Sequence, residues 1–289
     1  MKRELIGTGV AMVTPFNKDR SIDYKGLSNL IEYLINGKVD FLVSMGTTGE
    51  SAVLTNEEKD RVVSFSKEKI NGRIPFVVGF GGNNTAAIVE QINKTDFTGI
   101  DAVLSVSPAY NKPTQEGIYQ HFKAISEVCP IDVIIYNVPG RTSSNMEPST
   151  TLRLANDFKN IVAIKEASGN MEQIMKILRD KPKDFRVFSG DDALTLPMLF
   201  MGADGVISVQ AMAKPKEFSE MVRKGLAGDI EHAKDLHYAQ LEIIDNIFSE
   251  GNPAGVKACL KIKGICEEHL RLPLVEISRE RYKALKGLL

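Results

Sequence analysis

The chain has 289 residues, 43% hydrophobic and 25% charged, and its 36 basic and 37 acidic side chains leave a formal net charge of −1. That length suits one closed α/β barrel, usually ~250 residues, or two small domains, and the charge balance excludes the basic footprint of a nucleic-acid binder. No apolar run approaches the roughly 18 residues of a membrane span. The charged start Met1-Lys2-Arg3-Glu4, followed by a stretch broken by Gly7, Gly9 and Pro15, does not read as a signal peptide, so a cytoplasmic protein is expected.

Short β-rich runs alternate with amphipathic helical stretches. The first run is Gly9–Thr14, closed by Pro15, and Leu27, Leu30, Ile31 and Leu34 then repeat at helical spacing. The second is Phe41–Ser44 with the loop Gly46-Thr47-Thr48-Gly49-Glu50, after which Thr55-Asn56-Glu57-Glu58 opens a helix with capping residues. Pro75–Gly79 is followed by a helix near Asn84–Lys94, and Ala102–Val106 by one carrying Ile118, Phe122, Ile125 and Cys129. Val133–Tyr136 leads to a Pro-Gly loop and a short helix near Thr150. Ile161–Lys165 precedes Met171, Ile174, Met175 and Leu178; Phe185–Ser189 and Gly205–Ser208 complete the set.

Eight strand–helix units with near-continuously apolar strands predict a (β/α)8 TIM barrel over residues 1–224. Leu236, Ala239, Ile243 and Ile247 at helical spacing, a helix start at Asn252-Pro253 and another at Ser278 predict a C-terminal helical appendage over 225–289. The competing doubly wound sheet needs a glycine-rich loop after its first strand, where this chain has Thr14-Pro15-Phe16. Gly79-Phe80-Gly81-Gly82-Asn83-Asn84 lacks the third glycine of a dinucleotide site and reads as a turn with an Asn cap. Asp191-Asp192 reads as a helix cap in preference to a metal pair. The three cysteines, Cys129, Cys259 and Cys266, show no disulfide spacing; the last two are expected to be buried on one helix. The four histidines form no ligand pattern, and neither metal nor cofactor is assigned.

In such a barrel, chemistry gathers at the C-terminal ends of the strands. Lys165 ends an apolar run and can be solvent-facing, paired with a carboxylate, or a nucleophile whose pKa an apolar interior depresses. Such an amine condenses with a carbonyl to an imine that acidifies the neighbouring carbon. Tyr136, on the adjacent strand, is a core tyrosine or a proton shuttle to that lysine. Thr47-Thr48 is a simple turn or a carboxylate-binding loop, and Arg141 makes a surface ion pair or grips a second carboxylate.

Six ordered segments sharpen these alternatives: Gly46-Thr47-Thr48-Gly49-Glu50-Ser51, Ser107-Pro108-Ala109-Tyr110-Asn111-Lys112-Pro113, Tyr136-Asn137-Val138-Pro139-Gly140-Arg141-Thr142, Ile164-Lys165-Glu166-Ala167-Ser168-Gly169, Ser189-Gly190-Asp191-Asp192 and Gly205-Val206-Ile207-Ser208. Over nearly its whole length the sequence resembles the dihydrodipicolinate synthase family of pyruvate-dependent class I aldolases, whose superfamily also contains N-acetylneuraminate lyase. The resemblance implies Schiff-base condensation of pyruvate with L-aspartate 4-semialdehyde on Lys165, in the diaminopimelate route to lysine. It implies a proton relay of Tyr136, Thr47 and Tyr110, the last reaching in from a neighbouring subunit. Thr48 would bind the pyruvate carboxylate, Arg141 the carboxylate of the second substrate, and Gly190 and the carbonyl of Ile207 would line the pocket.

A homo-oligomer, a dimer or a tetramer built as a dimer of dimers, is therefore expected. Arg141 favours the synthase over a sialic-acid or keto-deoxy-sugar lyase, and the intact lysine, tyrosine and threonine set argues against a non-catalytic keto-acid sensor. One departure stands out. Lysine-inhibited relatives use acidic, histidine and tyrosine side chains at the subunit interface. Asn83 matches that pattern, but this chain has Ala109, Ala87, Asn56 and Lys59 at the other positions, which predicts weak or absent inhibition by L-lysine.

Overall fold

The computed structural model describes residues 4–289, so the charged start Met1-Lys2-Arg3 lies outside the described residues. Eight parallel strands close into a barrel in sequence order, β1 (Gly7–Ala11), β2 (Phe41–Ser44), β3 (Phe76–Gly79), β4 (Ala102–Val106), β5 (Asp132–Asn137), β6 (Ile161–Glu166), β7 (Arg186–Ser189) and β8 (Gly205–Ser208), with β8 pairing back onto β1. Around it run α1 (Tyr24–Asn36), α2 (Asn56–Ile70), α3 (Thr85–Lys94), α4 (Gln115–Val128), the one-turn α5 (Pro139–Thr142), α6 (Pro148–Asp157), α7 (Met171–Asp180), α8 (Thr195–Phe200) and α9 (Pro215–Leu226). The chain ends in α10 (Ile230–Phe248), α11 (Ala254–Ile262) and α12 (Arg279–Leu288).

The helices start where side-chain oxygens can accept orphan backbone N–H groups: Asp23, Asn84, Thr114, Asn170 and Ser278 each accept one, and Thr55 with Glu58 completes a capping box ahead of α2. Alternation along the strands divides the core in two. Ile164, Val187 and Val206 face the helices in the larger cluster, while Phe41, Val77, Leu104, Ile134, Ala163, Phe188 and Ile207 fill the barrel interior. The rings of Phe41 and Phe188 meet edge to face at 5.5 Å and floor the upper part of the barrel. Gly9 makes room for that pair, because a Cβ there would lie 2.2 Å from the Phe41 ring.

Two sequence expectations shift. β1 begins at Gly7 and ends at Ala11, earlier than the apolar run Gly9–Thr14 suggests, because its register is set by Gly7 against Gly205. At that crossing a Cβ on Gly205 would sit 2.1 Å from the Gly7 carbonyl oxygen, so close approach and not β-propensity selects the residues. Cys259 and Cys266 do not share a helix: α11 stops at Ile262 and the chain turns through Gly264 at φ +70°, although both thiols are buried and free.

Candidate active site

Inside–outside alternation decides what β6 offers the barrel. Ala163 and Lys165 point inward, whereas Ile164 and Glu166 point toward the helices. Glu166 is wholly buried there, accepting from Asn137 Nδ2, Gln173 Nε2 and the Ser168 N–H. Lys165 rises above the Phe41–Phe188 floor into a cavity of about 530 Å³ at the C-terminal end of the strands. Register places Tyr136 on one side of it and Phe188 on the other, and the Lys165 Nζ stands 4.5 Å from the centre of the Tyr136 ring.

Burial controls the chemistry of both groups. Lys165 is 5% exposed. Desolvation pulls its ammonium down from 10.5 to about 8, with Asp192 opposing the drop and Arg141 adding to it. A lysine titrating near 8 is about one-tenth neutral at pH 7, roughly 300-fold more than an unperturbed one. Burial drives the Tyr136 phenol the other way, up to about 12, so it keeps its proton near neutrality and can donate it.

The loop after β2 forms a turn of 3-10 helix at Thr47–Gly49. Thr47 is exposed to the cavity mouth and Thr48 is buried, its Oγ1 accepting from Asn252 Nδ2 at 2.9 Å. The loop is pinned further along. Glu50, at φ +53°, is fully buried and accepts from Lys257 Nζ at 2.5 Å and from the Arg271 N–H at 3.1 Å. Lys257 also donates to the His269 carbonyl. The Thr47–Thr48 loop is thus tied to α11 and the segment after it.

Arg141 lies on α5 at the open side of the cavity and, among the described residues, makes no ion pair, which removes the surface-pair alternative. Gly190 sits directly against the lysine: a Cβ there would be 3.0 Å from Lys165 Cε and 2.6 Å from Ala167 Cβ. Six of the residues expected from sequence, Thr47, Thr48, Tyr136, Arg141, Lys165 and Gly190, therefore share one cavity. The side chains of the other two, Ile207 and Tyr110, do not line it. The Ile207 side chain packs in the interior cluster, which leaves the expectation for its backbone carbonyl as it stood, and Val209 lines the cavity beyond the end of β8. Tyr110 points away from the cavity of its own chain, 90% exposed at φ +67°.

Neither member of Asp191-Asp192 caps α8 as the sequence suggested. Asp191 accepts from the Ala193 and Leu194 N–H groups of the turn before α8, whose N-cap position is Leu194 with no side-chain cap, and Asp192 turns inward, lines the cavity and bonds to the loop after β8. Asn252 and the Glu50–Lys257 pair were not anticipated. The signal available was Lys257 itself, a lone charge in the otherwise apolar run Ala254-Gly255-Val256-Lys257-Ala258-Cys259-Leu260, all of it buried. Among the described residues no group of three or more His, Cys, Asp or Glu side chains is arranged to hold a metal ion.

The chain is 55% identical to the 4-hydroxy-tetrahydrodipicolinate synthase of Flavobacterium psychrophilum, over 95% of this chain and 94% of that one. It is 50% identical to the synthase of the same name from Phocaeicola vulgatus, over 100% and 97%. The crystal structure of dihydrodipicolinate synthase from Aquifex aeolicus superposes with a TM-score of 0.95 at 41% identity, covering 98% of this chain and 97% of that one. The profile of the Dihydrodipicolinate synthetase family matches residues 4–289, and the chain belongs to that family.

Proposed function

We propose that the protein is a 4-hydroxy-tetrahydrodipicolinate synthase, a lyase-class enzyme that condenses pyruvate with L-aspartate 4-semialdehyde in the diaminopimelate route to lysine. The observation that carries this reading is the buried Lys165 amine, held beside the Tyr136 ring in a cavity that Arg141 also lines without an ion pair among the described residues. The neutral amine adds to the pyruvate carbonyl. The oxygen then leaves as water, taking one proton from nitrogen and one through Tyr136, and a cationic imine remains. That imine acidifies the methyl carbon, which gives up a proton to form the enamine; the enamine carbon attacks the aldehyde of the second substrate, whose oxygen takes up a proton. Thr48 is assigned the pyruvate carboxylate because its hydroxyl accepts from Asn252, leaving its own proton to donate. Arg141 is assigned the carboxylate of the semialdehyde, where a bidentate fork is the suitable partner.

Tyr110 is assigned to the proton relay of a neighbouring subunit, together with that subunit's Tyr136 and Thr47. Its near-complete exposure and its positive φ, costly for a tyrosine, support a residue held outward for a partner. A homo-oligomer follows, a dimer or a dimer of dimers. No helix among the described residues is long and apolar enough to cross a membrane, which fits the cytoplasmic location we infer.

Product formation from pyruvate with L-aspartate 4-semialdehyde, measured beside cleavage of N-acetylneuraminate, tests the reading. Turnover of the first pair alone is expected, with Arg141→Ala raising KM for the semialdehyde far more than for pyruvate. Pyruvate release from the sugar acid alone would overturn the assignment of Arg141.

A further inference from the structure

The mechanism above leaves one buried charged group at the site without a role. Asp192 is 3% exposed and lines the cavity that holds Lys165. Its Oδ2 accepts from the Val209 and Gln210 N–H groups at 3.1 and 2.9 Å, which fixes the carboxylate across the gap between the β7 and β8 exits. Its Oδ1 is buried with no hydrogen-bond partner among the described residues. A carboxylate oxygen left bare in a low-dielectric site is costly unless a charge faces it. Schiff-base formation creates such a charge at Lys165, because the neutral amine becomes a cationic imine as water leaves.

We propose that Asp192 is a positioning residue for the reaction, a fixed counter-charge that acts through Lys165 to stabilise the imine and to set the ionisation of the free amine. The inference rests on the reading of Lys165 as the Schiff-base nucleophile. The charged and titratable groups that face the pair can be named. Tyr136 comes from β5 and Arg141 from α5, and Asp191 adjoins Asp192 in the chain with its carboxylate engaged by the Ala193 and Leu194 N–H groups of the turn before α8. Lys59 stands at the cavity wall on α2, while Thr47 and Thr48 bring only hydroxyls. Glu166 is turned to the other face of β6 into its amide partners. Behind Asp192, Gln210 is bonded to Gln240, and the buried His237 of α10 lies beside the Ala193 backbone. Asp192 and Arg141 are therefore the two charges acting directly on the lysine, with opposite signs. Burial raises the Asp192 carboxyl above its ordinary range, and the nearby Ser208 hydroxyl, followed by the Gln210 and Val209 N–H groups, counters that rise.

The test is the pH dependence of borohydride trapping of pyruvate on the full-length enzyme. Asp192→Asn keeps an acceptor for the Val209 and Gln210 amides, so a purely structural role predicts an unmoved acid limb. The proposal predicts a limb displaced to lower pH by roughly one unit, because the lysine loses its counter-charge, together with a smaller trapped fraction at saturating pyruvate. Arg141→Gln should move the limb the opposite way. Asp192→Ser gives the same readout if the asparagine variant does not fold. Wild type trapped at Lys165 with an unmoved limb in the Asp192 variants would overturn the proposal alone. Wild type that is not trapped at Lys165 would remove the underlying reading and this proposal with it.

Discussion

Replacing Lys257 by methionine asks whether the C-terminal helices build the active site or merely flank it. The Lys257 and Glu50 side chains are both fully inaccessible and 2.5 Å apart. Methionine matches the aliphatic stem but leaves Glu50, among the described residues, with only the Arg271 N–H as a hydrogen-bond partner. Removing one member of a buried pair costs about 3–5 kcal/mol, most of it the stranded charge. At roughly 2 °C per kcal/mol for a chain of this size, the melting temperature should fall by about 6–10 °C. Glu50 also terminates the Thr47–Thr48 turn, so KM for pyruvate should rise along with the loss of stability. Replacing both residues by methionine removes the stranded charge and should recover most of the lost stability. Thermal denaturation of the two single variants and the double variant, with pyruvate saturation curves, gives all of these numbers. A Lys257→Met enzyme that melts with wild type and binds pyruvate normally would refute the tether.

Other consequences follow from the same geometry. Holding Lys165 in the barrel costs stability, because its pKa drops from 10.5 to about 8 on folding. Below pH 8 the folded state carries the full penalty of about 3 kcal/mol. Between pH 8 and 10.5 the unfolded chain binds more protons, so wild type gains stability as pH rises. Lys165→Met should thus melt above wild type at pH 7 and converge with it near pH 10.5; equal stability at pH 7 would contradict the desolvation argument. Gly190→Ala forces a Cβ against Lys165 Cε and Ala167 and should lower kcat by on the order of 100-fold through misplacement of the amine, with the fold intact by circular dichroism. L-lysine should inhibit weakly or not at all. Asn83 Oδ1 already accepts from the Ala109 N–H, Ala87 offers no carboxylate, and Lys59 adds a like charge; inhibition at sub-millimolar lysine would show that other residues make the site.

The barrel was legible because buried parallel strands are nearly continuous apolar runs, and β2, β4 and β8 fall where those runs fall. Lys165 was legible for a related reason, as a charge ending such a run. β1 was not, because its limits depend on glycine contacts with β8 some two hundred residues away. Asp192 was hidden by its neighbour. Adjacent carboxylates before a helix read as caps, whereas Asp191 closes the turn ahead of α8 and Asp192 lines the cavity that holds Lys165. Asn252 and Lys257 reach the Thr47–Thr48 loop across more than two hundred residues, a pairing that no local periodicity records.

The central claim is that Lys165 is the carbon-binding nucleophile. Borohydride reduction in the presence of pyruvate, followed by peptide mass spectrometry, tests it most directly. The account predicts one covalent pyruvate adduct per chain, located at Lys165 and absent from Lys165→Met. An adduct on any other lysine, or trapping that survives in Lys165→Met, would contradict it.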